Sequence, residues 1–224
     1  MPRGTSYVFT TPGYSGLIYK GVKGNRVGKY ILIFHLEGLE ARKRYFFSNE
    51  EREAFYKQND EKYPDNPKIP ETLQTLVDGF FGNFTDYDCI SSSAPYRVAI
   101  DDLSPNFLRI HMLELQPNVS PDEFETFCKD VWSKTAWVEG ETCYVMKGIK
   151  GERVDKYAFV ITVEGQAAQA RIMGSEDEYQ AEWNKVFAEN AQNQPALDEF
   201  RTLTTGFGTD FTNYIDVGAR DNLT

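Results

Sequence analysis

The sequence predicts an α+β protein built from two ferredoxin-like repeats. Three observations carry this: a long internal repeat, a β-α-β-β-α-β order in the second half, and helix-start signals recurring at one repeat position. The repeat is read directly. Lys20-Gly21-Val22-Lys23-Gly24-Asn25-Arg26-Val27-Gly28-Lys29-Tyr30 returns 127 residues later as Lys147-Gly148-Ile149-Lys150-Gly151-Glu152-Arg153-Val154-Asp155-Lys156-Tyr157. The same offset carries Gly79-Phe80 onto Gly206-Phe207, and Phe84-Thr85-Asp86-Tyr87 onto Phe211-Thr212-Asn213-Tyr214. A period this long is a whole supersecondary unit, unlike the short periods of solenoids. It divides the chain into residues 1–104, a first repeat with its linker, and 105–224, a second.

The second copy is the more complete. Leu108, Ile110 and Met112 alternate with Arg109 and His111, a strand pattern over residues 106–116. Leu113 and Leu115 then join the Arg109 face. Ser120-Pro121-Asp122-Glu123 is a capping box with Pro at the first helical position. Phe124, Phe127, Cys128, Val131 and Trp132 follow on one helical face. Cys143–Ile149 and Lys156–Glu164 read as strands joined by the repeated Lys/Gly/Arg segment, a hairpin loop. Ser175-Glu176-Asp177-Glu178 opens a second helical region, broken near Pro195 and running to about Thr204, and Phe211–Val217 closes the copy as a strand.

The first copy repeats only the later part of this unit. Leu17–Val22, Lys29–Glu37 and Phe84–Ile90 are strands, Ser48-Asn49-Glu50-Glu51 is a capping box, and Glu71–Val77 is helical. Asn59–Pro70, with three prolines, reads as a surface loop. Alternation puts Tyr30 with Leu32, Phe34 and Leu36 on a core face. The offset leaves no room for an opening strand and capped helix. They lie upstream of residue 1, or a segment such as Tyr7–Thr10 or Tyr96–Ile100 substitutes for the strand. An unfilled sheet edge favours association with a second chain, here a homodimer.

Composition narrows the function classes. The net charge of −10 disfavours nucleic acid and anionic membranes as partners, since both reward clustered cations. No apolar run reaches the length of a membrane span, and the N-terminus lacks the apolar stretch of a signal peptide. Cys89, Cys128 and Cys143 have no metal-type spacing, and their odd, sparse number suggests reduced thiols in the cytoplasm.

Two such units in one chain resemble the α+β-barrel superfamily, in which two sheets pack face to face. The resemblance rests on Asn106-Phe107-Leu108-Arg109-Ile110-His111-Met112-Leu113-Glu114 with Pro117 and the Ser120 helix, on the repeated hairpin, and on the closing Phe-Thr-Asp/Asn-Tyr strand. It spans nearly all of residues 16–217 and is similar to uncharacterised bacterial members near the stress-responsive and antibiotic-biosynthesis-monooxygenase branches. It implies antiparallel sheets facing each other as an intrachain dimeric α+β barrel, the first repeat lacking its opening strand and helix. It implies no single function, because this superfamily hosts enzymes and non-enzymes alike.

The candidate ligand-binding residues are His111, Arg109, Tyr214, Tyr87 and His35. On the strand, His111 shares a face with Arg109, an arrangement suited to a base beside an anion-holding guanidinium, or to packing between sheets. His35 corresponds to Thr162, so the repeat does not require an imidazole there. Tyr87 and Tyr214 occupy equivalent positions, each two residues after a threonine, and suit either a ligand or a cross-strand hydrogen bond. The hairpin cations lie beside glycines but match neither a P-loop nor a dinucleotide fingerprint, so the glycines read as turn residues. No metal is expected, because no ligand spacing exists, and no cofactor is expected; haem would have only His35 or His111 as a histidine ligand. No nucleophile–base pair is evident. The leading expectation is therefore a non-catalytic barrel that at most binds a small, partly apolar ligand between its sheets. The rivals are a cofactor-independent monooxygenase-like enzyme, motivated by His111, Arg109 and the tyrosines, and a structural protein associating through sheet edges.

Overall fold

The computed structural model describes residues 14–36, 84–93, 107–163, 170–171 and 173–217, with single or paired positions at 40, 54, 57–58, 61–62 and 64. The Ser48 capping box, the Glu71–Val77 helix and the substitute strands at Tyr7–Thr10 and Tyr96–Ile100 lie outside the described residues. Within Asn59–Pro70, expected to be loop, Glu61 and Lys62 are helical and Pro64 is in a turn. The chain divides into two compact units. One comprises Met1–Ser6, Ile18–Leu32 and Thr85–Thr224, the other Tyr7–Leu17 and Ile33–Phe84.

The elements are β1 (Tyr14–Gly24), β2 (Tyr30–Leu36), β3 (Thr85–Ser92), β4 (Phe107–Leu115), α1 (Pro121–Asp130), β5 (Glu141–Gly151), β6 (Tyr157–Val163), α2 (Glu176–Glu189), α3 (Asn193–Leu203), β7 (Thr204–Thr205) and β8 (Phe211–Asp216). Two helix starts follow the sequence signals. Ser120 Oγ accepts from Glu123 N at 3.2 Å, and Ser175 Oγ from Glu178 N at 3.1 Å, each satisfying an amide with no intrahelical acceptor. The break between α2 and α3 precedes Pro195, which falls in the first turn of α3, where a missing N–H costs nothing. Among the described residues, no helix is long and apolar enough to cross a membrane.

The chain is α+β, but the strands form one antiparallel sheet in the order β2-β1-β8-β4-β6-β5-β3, with β7 attached to β4. This overturns the expectation of two ferredoxin-like repeats with separate sheets facing each other as an intrachain dimeric α+β barrel. The first copy's strands are split: β2 and β1 extend the sheet from β8, while β3 lies at the far end on β5. The physical reason is edge satisfaction. In a sheet made of second-copy strands alone, β8 and β5 would each expose a row of unpaired N–H and C=O groups. The first copy's strands cover both rows.

The helices cover one sheet face. Phe107 and Leu113 of β4, Cys143 and Val145 of β5, and Tyr157, Phe159, Ile161 and Val163 of β6 pack with Phe124, Phe127, Trp183, Phe187, Leu197 and Phe200 of the helices. Burying each of these large side chains contributes about 1.5–3 kcal/mol. Tyr157 is fully buried under Phe124, and its hydroxyl donates to Glu125 at 3.0 Å. Tyr30, its repeat counterpart, departs from its expected core position. It is 52% exposed, with the Lys20 ammonium 5.7 Å over its ring. Alternation assigns a face; a covering helix such as α1 is what buries it.

Candidate functional site

Pairing across the sheet sorts the candidate residues by face, since directly opposed residues project to the same side. Arg109 opposes Asn213 and His111 opposes Phe211, whereas Leu108 opposes Tyr214 and Ile110 opposes Thr212. Tyr214 also opposes Gly21, and Tyr87 opposes Gly148. The structure therefore keeps Arg109 and His111 together on the helix-covered face and puts Tyr214 on the other. His35 lies on β2, and its side chain is outside the described residues.

On the helix-covered face the polar groups are largely tied off. Arg109 is 3% exposed, and its guanidinium donates to both carboxylate oxygens of Glu176 at 3.1 Å and, through Nε, to Asn213 Oδ1 at 2.7 Å. The rings of Tyr179 and Phe211 lie 4.4 and 4.8 Å from it. Lys23 reaches the same carboxylate at 2.9 Å. Partial burial raises the Glu176 pKa, but Lys23 and Arg109 together bring it below the usual range. Arg109 thus has no free fork for an anion. His111 is stacked on Phe207 at 5.0 Å and accepts through Nδ1 from Gly208 N at 3.1 Å. Burial, reinforced by the Arg109 charge, takes its pKa down to about 3. It is a neutral imidazole that pins the 206–210 loop, not a base near neutral pH.

Glu141 is a buried acid that the sequence reading missed. Its Oε2 accepts from Tyr179 Oη and Trp183 Nε1, both at 3.3 Å, while Oε1 has no partner. Burial drives its pKa up to about 7, against these two hydrogen bonds and the Arg109 and Arg171 charges. Protonation thus relieves its own desolvation. The available signal was a carboxylate sharing the apolar register of Cys143 and Val145. The indole nitrogens of Trp132 and Trp137 are also unpartnered, but dense aromatic packing encloses them, with Phe200 4.4 Å from Trp132 and Trp183 4.8 Å from Trp137.

The other face carries the tyrosines among Leu108, Ile110, Met112, Met146 and Ala158. The repeated hairpins frame it in the same way at both ends. Gly21 opposes Tyr214, Lys23 opposes Asn213 and Gly24 opposes Thr212; Gly148, Lys150 and Gly151 oppose Tyr87, Asp86 and Thr85 in the same register. Both registers shift, β1 between Gly21 and Lys23 and β5 between Gly148 and Lys150. Arg26 N donates to Thr212 Oγ1 at 3.1 Å, and Arg153 N to Thr85 Oγ1 at 3.2 Å, so both threonines anchor hairpins. A Cβ on Gly21 would stand 2.2 Å from Arg26 O, and one on Gly148 2.0 Å from Arg153 O. Gly21 and Gly148 are there because strand and hairpin backbone touch.

Tyr87 and Tyr214 differ in their surroundings. Burial raises both phenol pKa values. Arg26 and Thr212 pull against it at Tyr214, and Arg153, Thr85 and Arg26 do so at Tyr87. Yet the Tyr87 hydroxyl is buried with no hydrogen-bond partner, and so is Arg153 Nε. Arg153 and Thr85 lie beside the phenol without hydrogen-bond geometry. Among the described residues, no group of three or more His, Cys, Asp or Glu is placed to hold a metal ion.

No family model matches the chain, and no curated protein matches it significantly. It is similar to a solved structure described as an anthrone oxidase-like protein, at 14% identity and a TM-score of 0.47, covering 92% of this chain and 77% of that one.

Proposed function

We propose that this is a non-catalytic protein that binds a small, partly apolar ligand on the sheet face carrying Tyr87 and Tyr214. One observation carries the reading: the Tyr87 hydroxyl is buried and unpartnered on a mixed face where Leu108, Ile110, Met112, Met146, Ala158 and Val160 stand with Thr142, Thr162 and Thr212. A buried polar group without a partner costs about 1–3 kcal/mol, and a ligand hydrogen bond removes that cost. Kinship with the α+β-barrel superfamily is part of the proposal, supported by the matched register and irregularity at the two hairpins. A reducing compartment, the cytoplasm, is supported by three free cysteines.

Native mass spectrometry of the protein as purified from cells tests the reading. A retained small molecule that disappears in Tyr87→Phe supports it. A clean apo mass, with an unchanged melting temperature across a panel of small aromatic compounds, overturns it.

A further inference from the structure

We infer that the ligand beside Tyr87 is an anion, a carboxylate or phosphate on a partly apolar body, and that Arg153 is its counter-charge. This rests on the ligand-binding reading above and adds the chemical class.

The argument comes from comparing the two copies of one motif. Arg26 and Arg153 hold the same repeat position, and both donate their backbone N–H to the equivalent threonine. Their guanidinium groups meet different partners. Arg26 Nη1 donates to Asp210 Oδ1 at 2.9 Å, and Asn25 Nδ2 approaches the same oxygen at 3.3 Å. Among the described residues, Arg153 meets no carboxylate. Its Nη2 makes long bonds to the carbonyls of Leu113 and Tyr157, at 3.3 and 3.4 Å, and its Nε is buried without a partner. Glu152 and Asp155 in the same hairpin are exposed and form no ion pair with it. In the sequence, the repeat offset carries Asp210 onto Asn83, an amide where the other copy has an acid.

A guanidinium stays charged at any accessible pH. Held partly buried with no opposite charge, it carries a desolvation cost that a bound anion offsets. Its neighbour supplies the complementary group, since the unpartnered Tyr87 hydroxyl is a donor that needs an acceptor. A guanidinium N–H and a phenol O–H side by side select an oxyanion. Arg109 lacks this capacity, because Glu176 and Asn213 occupy its fork.

Full-length protein labelled with 13C-methyl methionine is titrated with 2-naphthoate, and separately with neutral 2-naphthamide, following the Met112 and Met146 resonances. The expected result is about tenfold tighter binding of naphthoate than of the amide. Arg153→Gln should abolish that preference, Arg26→Gln, which removes only a more distant charge, should reduce it far less, and inorganic phosphate should compete with naphthoate. Equal binding of both probes in wild type and in Arg153→Gln overturns the anion assignment while leaving the ligand-binding reading standing. No shift from either probe at millimolar concentration overturns both. Should Arg153→Gln fail to fold, Arg153→Lys replaces it. Losing the fork but keeping the charge, it must weaken naphthoate binding about threefold and leave naphthamide unchanged.

Discussion

The β1–β2 and β5–β6 hairpins share a sequence motif, a pairing register and a register shift, and they part company at their side chains. Each docks on the closing strand of the other copy, β1 on β8 and β5 on β3. Gly24 and Gly151 have the same φ of 97°, and Gly28 and Asp155 are both left-handed, at 78° and 60°. Beyond the backbone the copies diverge. Lys147 reaches Glu125 of α1 at 2.7 Å, whereas Lys20 lies over the exposed Tyr30 ring. Arg26 is neutralised by Asp210, and Arg153 is not neutralised by any of the described residues. What the copies retain is the geometry needed to pair strands. Where they differ is a carboxylate, Asp210 in one copy and Asn83 in the other, so the proposed ligand rests on the asymmetry rather than on the motif.

The largest effect tests the equivalence of the hairpins. Gly148→Ala should destabilise by about 3 kcal/mol or more, because its Cβ would meet Arg153 O, and Gly21→Ala should match it within about 1 kcal/mol. Denaturant midpoints at unchanged slope measure both. A silent Gly21→Ala beside a disruptive Gly148→Ala would break the comparison.

Next in size is a pH effect that belongs to neither hairpin and so serves as a control. The folded pKa of Glu141, about 7, lies above its ordinary value of 4.5. Its favourable contribution is therefore full below about pH 4.5 and lost as pH rises through 7. Glu141→Gln should stabilise by on the order of 2–3 kcal/mol at pH 8 and by little at pH 4. His111 has the opposite sign. With its pKa lowered from 6.5 to about 3, stability is lost as pH falls below 6.5, and His111→Asn, keeping an acceptor for Gly208, should flatten that limb. Stability curves that keep their shape in both variants would reject these assignments.

Smaller still is the Arg26–Asp210 pair, whose side chains are 35% and 39% exposed. Asp210→Asn copies the Asn83 side of the repeat and should cost about 0.5–1 kcal/mol, a loss that shrinks at high salt. A cost several times larger would mean that Asp210 holds the fold and not only the charge. The smallest effect should be a gain. Asp155→Gly gives the second hairpin the residue of the first at a left-handed position, worth about 0.5 kcal/mol by thermal denaturation.

Much of this architecture was legible along the chain. The capping boxes at Ser120 and Ser175 start helices because the signal and the structure are both local. Alternation around Leu108–Met112 sorted Arg109 and His111 correctly onto one face, since side-chain direction has period two. Of the candidate site, Tyr87 and Tyr214 were visible as a repeated pair. Their separation from His111 was not, because faces of different strands can be compared only once their register is known. Glu141 and Arg153 read as ordinary charges at a strand start and in a hairpin. Their importance lies in atoms left unpartnered, which is a property of neighbours distant in sequence.

The sequence by itself determined the repeat, the hairpin glycines, the helix starts and the alternation of strand faces, all set by interactions within a few residues. Only the tertiary structure decided that β1 joins β8 and β3 joins β5, that α1 buries Tyr157 while Tyr30 stays exposed, and that one of two equivalent arginines lacks a counter-charge among the described residues. Strand partners, burial and ion pairing are settled between segments up to 197 residues apart, as Tyr19 and Asp216 are, where edge satisfaction and desolvation outweigh local preference.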